Sequence, residues 1–151
     1  DQGDAGLVSF DLAGGKITLG DKMFARSSAC VTDEAHRELK LLSPKIAAFI
    51  DTSSQAQILV EGHTDNIQVG RPVTDFAKYC TVYDDNFTLS AARAREARKL
   101  LIEMLGEQQA KRVIVAGYGD SQPLPNIDPS DEKNRRVEVQ FVNKPEHQAR
   151  L

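Results

Sequence analysis

Ile58-Leu59-Val60-Glu61-Gly62-His63-Thr64-Asp65, followed by Asn86-Phe87-Thr88-Leu89-Ser90-Ala91-Ala92-Arg93-Ala94, is where the fold declares itself. Gln57 to Val60 is a short, nearly all-apolar run with β-branched members, the composition of an interior strand covered on both faces. Just beyond its carboxyl end stands Asp65, at the edge of an α/β sheet where ligands usually bind, although an Asx turn would also account for an aspartate there. The second segment opens a helix expected from about Leu89 to Leu105 and stopped by Gly106, which puts Arg93 in its first turn. Leu89, Ala97, Leu100 and Met104 form an inward stripe on that helix, and Arg93 lies on the stripe between Leu89 and Ala97. A guanidinium left desolvated and unpaired would cost about 3–5 kcal/mol, so Arg93 needs an internal carboxylate such as Asp65, a path to solvent, or a ligand. Arginine suits planar, two-pronged carboxylate recognition. Asp65 and Arg93 together offer the two charges that grip a zwitterion.

Outward from this core, Leu7 to Phe10 and Lys16 to Leu19 flank Ala13-Gly14-Gly15 and predict a β-hairpin. Thr32 is an N-cap with Asp33 and Glu34 in the first turn behind it. Ala35, Leu39, Leu42, Ile46 and Phe49 then recur at helical spacing, with a kink or break expected at Ser43-Pro44 and helix continuing to about Ile50. A loop of about twenty residues runs from Asn66 to Asp85, and loops this long inside compact domains are usually functional or mobile. Arg112 to Ala116 predicts another strand, Asp120 to Lys133 a loop with three prolines and three aspartates, and Val137, Val139 and Phe141 a final strand with one buried and one wet face. The order is ββ-α-β-α-β-β, with parallel pairing across each strand–helix–strand crossover and an antiparallel last strand. The expected fold class is α/β: a two-layer sandwich of a mixed sheet with helices on one face, a βαβαβ core preceded by the hairpin. The expected division is residues 1–15 as N-terminal segment and first hairpin strand, 16–142 as the domain with an insertion at 66–85, and 143–151 as a frayed tail.

With 151 residues the chain suits one domain that needs no disulfide scaffold to fold. Its 19 basic and 22 acidic side chains are interspersed, without the basic face a nucleic-acid binder requires. It lacks an apolar run of about 18 residues and a signal-peptide pattern, so it is expected to be soluble as given, or to be the excised soluble part of an anchored protein. Cys30 and Cys80 stand fifty residues apart without a CxxC partner, which argues against zinc or thioredoxin chemistry. They are either two buried thiols or, in an oxidising compartment, a disulfide tying the insertion to the domain.

Other candidates carry less. His63 has no second histidine nearby, so a structural brace outweighs a metal ligand or general base, and the expected metal and cofactor complement is none. Gly117 and Gly119 are followed by Gln122 rather than a third glycine, and no helix is expected to begin there, which argues against a dinucleotide loop. Asn134-Arg135-Arg136 reads as a solvated start to an edge strand, or as a second cation near the same sheet end.

Taken in order, Glu61-Gly62-His63-Thr64-Asp65, Asn86-x-x-Leu89-Ser90-x-x-Arg93-Ala94, Gly117-Tyr118-Gly119 with Pro123, and Asn134-Arg135-Arg136-Val137-Glu138 resemble the peptidoglycan-binding domain shared by OmpA, Pal and MotB proteins. The resemblance runs from about Lys16 to Val142. It implies a non-catalytic periplasmic domain of a membrane-anchored bacterial protein that captures the diaminopimelate of the peptidoglycan stem peptide, with Asp65 receiving its ammonium and Arg93 its carboxylate. Asn86 and Leu89 would shape the pocket, Thr64 would set the loop holding Asp65, and Arg135 would lie near the ligand. Phe24 to Ala29 takes the place of a family segment that carries a glycine, here replaced by Arg26-Ser27, which leaves the shape of that rim loop open. The periplasmic setting favours a Cys30–Cys80 disulfide pinning the insertion over the pocket. The hairpin and Thr64-Asp65-Asn66 look more like MotB than Pal, which implies a wall anchor for an inner-membrane motor, with that motor and a second copy of the chain as further partners. A Pal-like or OmpA-like outer-membrane tether is the rival within the family. From another class, the rival is a periplasmic enzyme using His63 with Asp65, or Cys80 as nucleophile.

Overall fold

The computed structural model describes residues 7–144. It is a mixed α/β fold in which helices cover one face of a five-stranded sheet. Strands β1 (Val8–Asp11), β2 (Lys16–Gly20), β3 (Ala56–His63), β4 (Val113–Gly117) and β5 (Arg136–Asn143) are ordered β1-β2-β5-β3-β4. The long helices are α1 (Asp33–Ile50) and α3 (Asn86–Leu101), and the short ones α2 (Phe76–Tyr79) and α4 (Glu107–Ala110). The tail expected at 143–151 lies outside the described residues beyond Lys144, and Asn143 belongs to β5.

The topology corrects the expected pairing. Only β3 and β4 pair in parallel; β5 sits between β2 and β3 and is antiparallel to both. The last strand is therefore central rather than an edge, because it is the one strand that satisfies the backbone of β2 and β3 together. One consequence governs the site. The carboxyl ends of β2 and β3 and the amino ends of β5 and α3 all meet at one end of the sheet.

Helix α1 passes through Pro44 unbroken. Pro44 and Lys40, whose carbonyl loses its amide partner, both lie on the exposed side, where water can satisfy what the proline removes. Thr32 caps the helix as expected, its Oγ1 accepting from Ala35 N–H at 3.1 Å. Ala35, Leu39, Leu42 and Ile46 are buried against the sheet.

Helix α3 begins three residues before the expected start, because Asp85 caps it by accepting from Thr88 N–H at 2.7 Å. Arg93 therefore stands about two turns into the helix rather than in its first turn. The helix ends at Leu101, so Met104 leaves the stripe and is 60% exposed. Two glycines let α3 lie close on the sheet. A Cβ on Gly62 would come within 2.0 Å of the Ser90 carbonyl oxygen, and one on Gly117 within 2.7 Å of Ala91.

The core of Leu19, Leu39, Ile46, Ile58, Val60, Leu101, Val137 and Val139 fills the space between helices and sheet. The opposite, helix-free face also departs from expectation. The side of β5 expected to be wet carries Arg136 and Glu138, both buried together with Glu61 and His63 of β3.

Candidate functional site

Where the strand ends converge, an open cleft of about 1010 Å³ gathers all six residues singled out from the sequence: Thr64, Asp65, Asn86, Leu89, Arg93 and Arg135. Thr64 anchors the end of β3 by donating its N–H to the Gly119 carbonyl at 2.8 Å, and its Oγ1 donates to the Asp65 carbonyl at 2.7 Å. Asp65, 5% exposed, is held in turn by Ile67 N–H, which donates to Oδ1 at 3.0 Å. Asn86 Nδ2 donates to the Ile67 carbonyl at 3.1 Å, joining the helix start to the same loop.

The charges alternate across the cleft. Arg135 Nη1 donates to Asp65 Oδ2 at 2.7 Å, and its Nη2 reaches Asp21 Oδ2 at 3.2 Å. Asp21 Oδ1 accepts from Arg93 Nη1 at 2.8 Å. Arg93 Nε donates to the Ser28 carbonyl at 2.8 Å, and its guanidinium carbon lies 4.9 Å from the Phe24 ring centroid. The result is the chain Asp65, Arg135, Asp21, Arg93, with no net charge. Arg93 answers the demand made by its place on a core stripe with an internal carboxylate, and that carboxylate is Asp21 rather than Asp65. Its Nη2 makes no hydrogen bond among the described residues.

Burial works against ionisation of Asp21, but hydrogen bonds and charges from Arg135 and Arg93 outweigh it and hold its pKa below the ordinary value. Burial likewise opposes the charge on Arg135, yet Asp21 and Asp65 raise its pKa, so the guanidinium stays charged. Asp21 and Arg135 are thus ions at neutral pH.

Asp21 is the functional candidate that sequence reasoning missed. It opens a 3-10 turn directly after β2, and its position carries no periodic signal. The signal lay in topology: an acid following the strand that runs alongside β3's direction ends up at the same sheet edge.

Two segments build the cleft wall. Cys30 and Cys80 form a disulfide with Cα atoms 5.2 Å apart, so the two-thiol alternative does not apply. The bridge joins the rim segment after Phe24 to the 66–85 insertion, which is not a bare loop: it holds α2 and an antiparallel bridge between Val73 and Tyr83. Tyr83 Oη donates to the Ser27 carbonyl at 2.7 Å, and Ala29 N–H to the Tyr79 carbonyl at 2.9 Å. Ser27 itself adopts φ +59°, the left-handed turn that a glycine would take without strain.

The residues named for the enzyme alternative are not assembled for that chemistry. Cys80 is bonded, and the carboxylate nearest to His63 across a potential ion pair is Glu138 at 4.0 Å, while Asp65 is engaged by Arg135 and Ile67. Nor does His63 brace a loop, since neither ring nitrogen has a hydrogen-bond partner. Asn134 and Arg136 are buried rather than solvated. Asn134 accepts from Leu124 N–H at 2.7 Å and donates to the Asp128 carbonyl at 3.0 Å, shaping the loop that presents Arg135.

A profile of the OmpA family matches residues 23–137. Among solved structures, the cell wall anchor of the T6SS from Pseudomonas aeruginosa is 31% identical, covers 96% of this chain and 93% of its own length, and superposes with a TM-score of 0.67. A periplasmic domain of Helicobacter pylori MotB is 20% identical, with 92% and 89% covered and a TM-score of 0.66. The OmpA-like domain of FopA1 from Francisella tularensis is 23% identical, with 95% and 82% covered and a TM-score of 0.56. These last two likenesses speak to fold alone. A search of curated protein sequences found no match.

Proposed function

The chain belongs to the OmpA family, and we propose that its cleft binds peptidoglycan by gripping the zwitterionic end of a diaminopimelate residue, tying a membrane-anchored assembly to the cell wall. The observation that carries this reading is the alternation of Asp65, Arg135, Asp21 and Arg93 along one open cleft. A ligand ammonium takes Asp65 as Arg135, about one-third exposed, yields its place. The ligand carboxylate takes the free Nη2 of Arg93 and the released Arg135. Each internal charge-assisted bond is exchanged for one of the same kind, so the exchange itself costs little, and packing on Leu89 and the insertion adds affinity. Thr64 and Asn86 hold the loop in place.

Binding of this kind is non-catalytic: it needs two opposed charges and no nucleophile. A stem peptide with lysine in place of diaminopimelate offers the ammonium without the carboxylate and leaves the Arg93 half of the site unused. A disulfide fits a periplasmic setting, where such bonds persist. No helix among the described residues is long and apolar enough to cross a membrane. The N-terminal hairpin resembles MotB, while the 31% identity to the cell wall anchor of the T6SS supports a T6SS assembly as the partner.

Co-sedimentation with purified sacculi tests the function. The protein should pellet with diaminopimelate-type sacculi, pellet much less with lysine-type sacculi, and be released by free meso-diaminopimelate. Equal pelleting with both wall types, or with neither, would refute the reading.

A further inference from the structure

On the helix-free face of the sheet, away from the cleft, Glu61 and His63 of β3 lie beside Glu138 of β5, in the register that pairs Glu61 with Glu138 and His63 with Arg136. One candidate ligand atom from each of Glu61, His63 and Glu138 lies within 4.8 Å of the other two. His63 is 3% exposed, and its Nδ1 and Nε2 are the buried side-chain nitrogen and oxygen atoms among the described residues that lack any hydrogen-bond partner. A neutral imidazole sealed from water with both nitrogens unsatisfied is costly, and such a group calls for an explanation. We propose that Glu61, His63 and Glu138 form a binding site for a divalent transition-metal cation of the zinc class.

The donor set suits that class. One imidazole nitrogen with two carboxylates matches zinc or its neighbours, whereas magnesium and calcium prefer oxygen alone. Bonds of about 2.1 Å set ligand atoms of a tetrahedral ion about 3.4 Å apart. His63 Nε2 and Glu138 Oε1 stand 4.0 Å apart, so small rotations of the two glutamates close the set. Water fills the remaining position, as is usual where a protein supplies three ligands.

The surroundings already have the form of an outer shell. Arg136 Nε donates to Glu138 Oε2 at 2.7 Å, fixing that carboxylate and leaving Oε1 turned to His63. Gln140 Nε2 donates to Glu61 Oε1 at 2.7 Å. The Tyr118 ring stacks on His63 with centroids 5.2 Å apart and planes at 9°, holding the imidazole's orientation. Lys16 Nζ, 3.7 Å from Glu138 Oε1, is the competing cation, and its partly exposed side chain can withdraw to solvent as the metal enters. Burial first, and then the Arg136 charge, lower the His63 pKa to about 4 against the pull of Glu138, so the ring keeps a free lone pair at neutral pH.

Calorimetric titration of zinc chloride, and separately of magnesium chloride, into the whole chain tests the site, with thermal melting alongside. Wild type should take up one zinc with a raised Tm and no magnesium. Both His63→Gln and Glu138→Gln should weaken zinc at least tenfold, while His36→Ala, which removes an exposed histidine, should bind as wild type does. Circular dichroism identifies any variant that fails to fold, and the other then decides. Zinc binding that survives in the folded variant, or its absence from wild type at millimolar zinc, would overturn the proposal.

Discussion

Two clusters of charge sit on this domain, and they differ in what surrounds them. In the cleft, Arg135 is about one-third exposed and bonds Asp21, which is partly exposed, and Asp65, which is buried at the cleft wall. On the helix-free face, Arg136, the next residue, is 6% exposed, and its donors are spent on Glu138 and on the carbonyls of Asn134 and Gln122. Adjacent residues thus differ in setting: Arg135 lines the open cleft proposed to take the ligand, whereas Arg136 and Glu138 are buried. The alternation of side chains along β5 assigns the roles.

That contrast sets the size of mutational effects. Arg136→Ala leaves Glu138 buried without its main partner and should cost about 3–5 kcal/mol of unfolding free energy, measured by urea denaturation. A loss under about 1 kcal/mol, the level of a surface pair, would erase the distinction.

Next in size is the bridge. Replacing Cys30 and Cys80 together by serine should cost about 2–4 kcal/mol, since the bond closes a fifty-residue separation. Hydrogen exchange should also rise across residues 66–85 while the sheet stays protected. Exchange that is unchanged there would mean Tyr83 and the Ala29 bond suffice to dock the insertion.

Arg135→Ala should cost less, about 1–2 kcal/mol of stability: it leaves the buried Asp65 without its arginine, but the Ile67 N–H and the open cleft still solvate that carboxylate and Asp21 keeps Arg93. A larger loss would place Arg135 with Arg136 as part of the framework.

The smallest effect concerns acid. The folded pKa of Asp21 lies below its unfolded value of 3.8, so its stabilisation is present above that value and is lost as pH falls through the lowered one. Stability of wild type should therefore decline more steeply than that of Asp21→Asn as pH drops below about 4, the range where unfolded aspartates titrate. Parallel curves would show that Asp21 gains nothing from its two arginines.

Much of the frame was legible because it rests on local periodicity: the apolar run of β3, the stripe of α1 and the misplaced cation Arg93. Strand order was not, since nothing within β5's own residues says that it inserts between β2 and β3. Reading it as an edge followed from its arginines, whose partners lie on other elements. The same non-local cause hid Asp21 as the partner of Arg93 and hid the burial of Glu61, His63 and Glu138. Pro44 and Met104 misled in a different way. The rules for a helix break and a helix stripe are local, but solvent exposure at Lys40 and the early helix end at Leu101 decided the outcome.

The central claim is a two-point grip on one zwitterion, and calorimetric titration of a diaminopimelate-containing muropeptide into wild type, Asp65→Ala and Arg93→Ala tests it most directly. Each substitution leaves one ligand charge unpaired and should weaken binding by about 2–5 kcal/mol, more than tenfold in Kd, with a lysine-type muropeptide bound weakly by all three proteins. Binding that survives either substitution, or that does not distinguish the two muropeptides, would contradict the account.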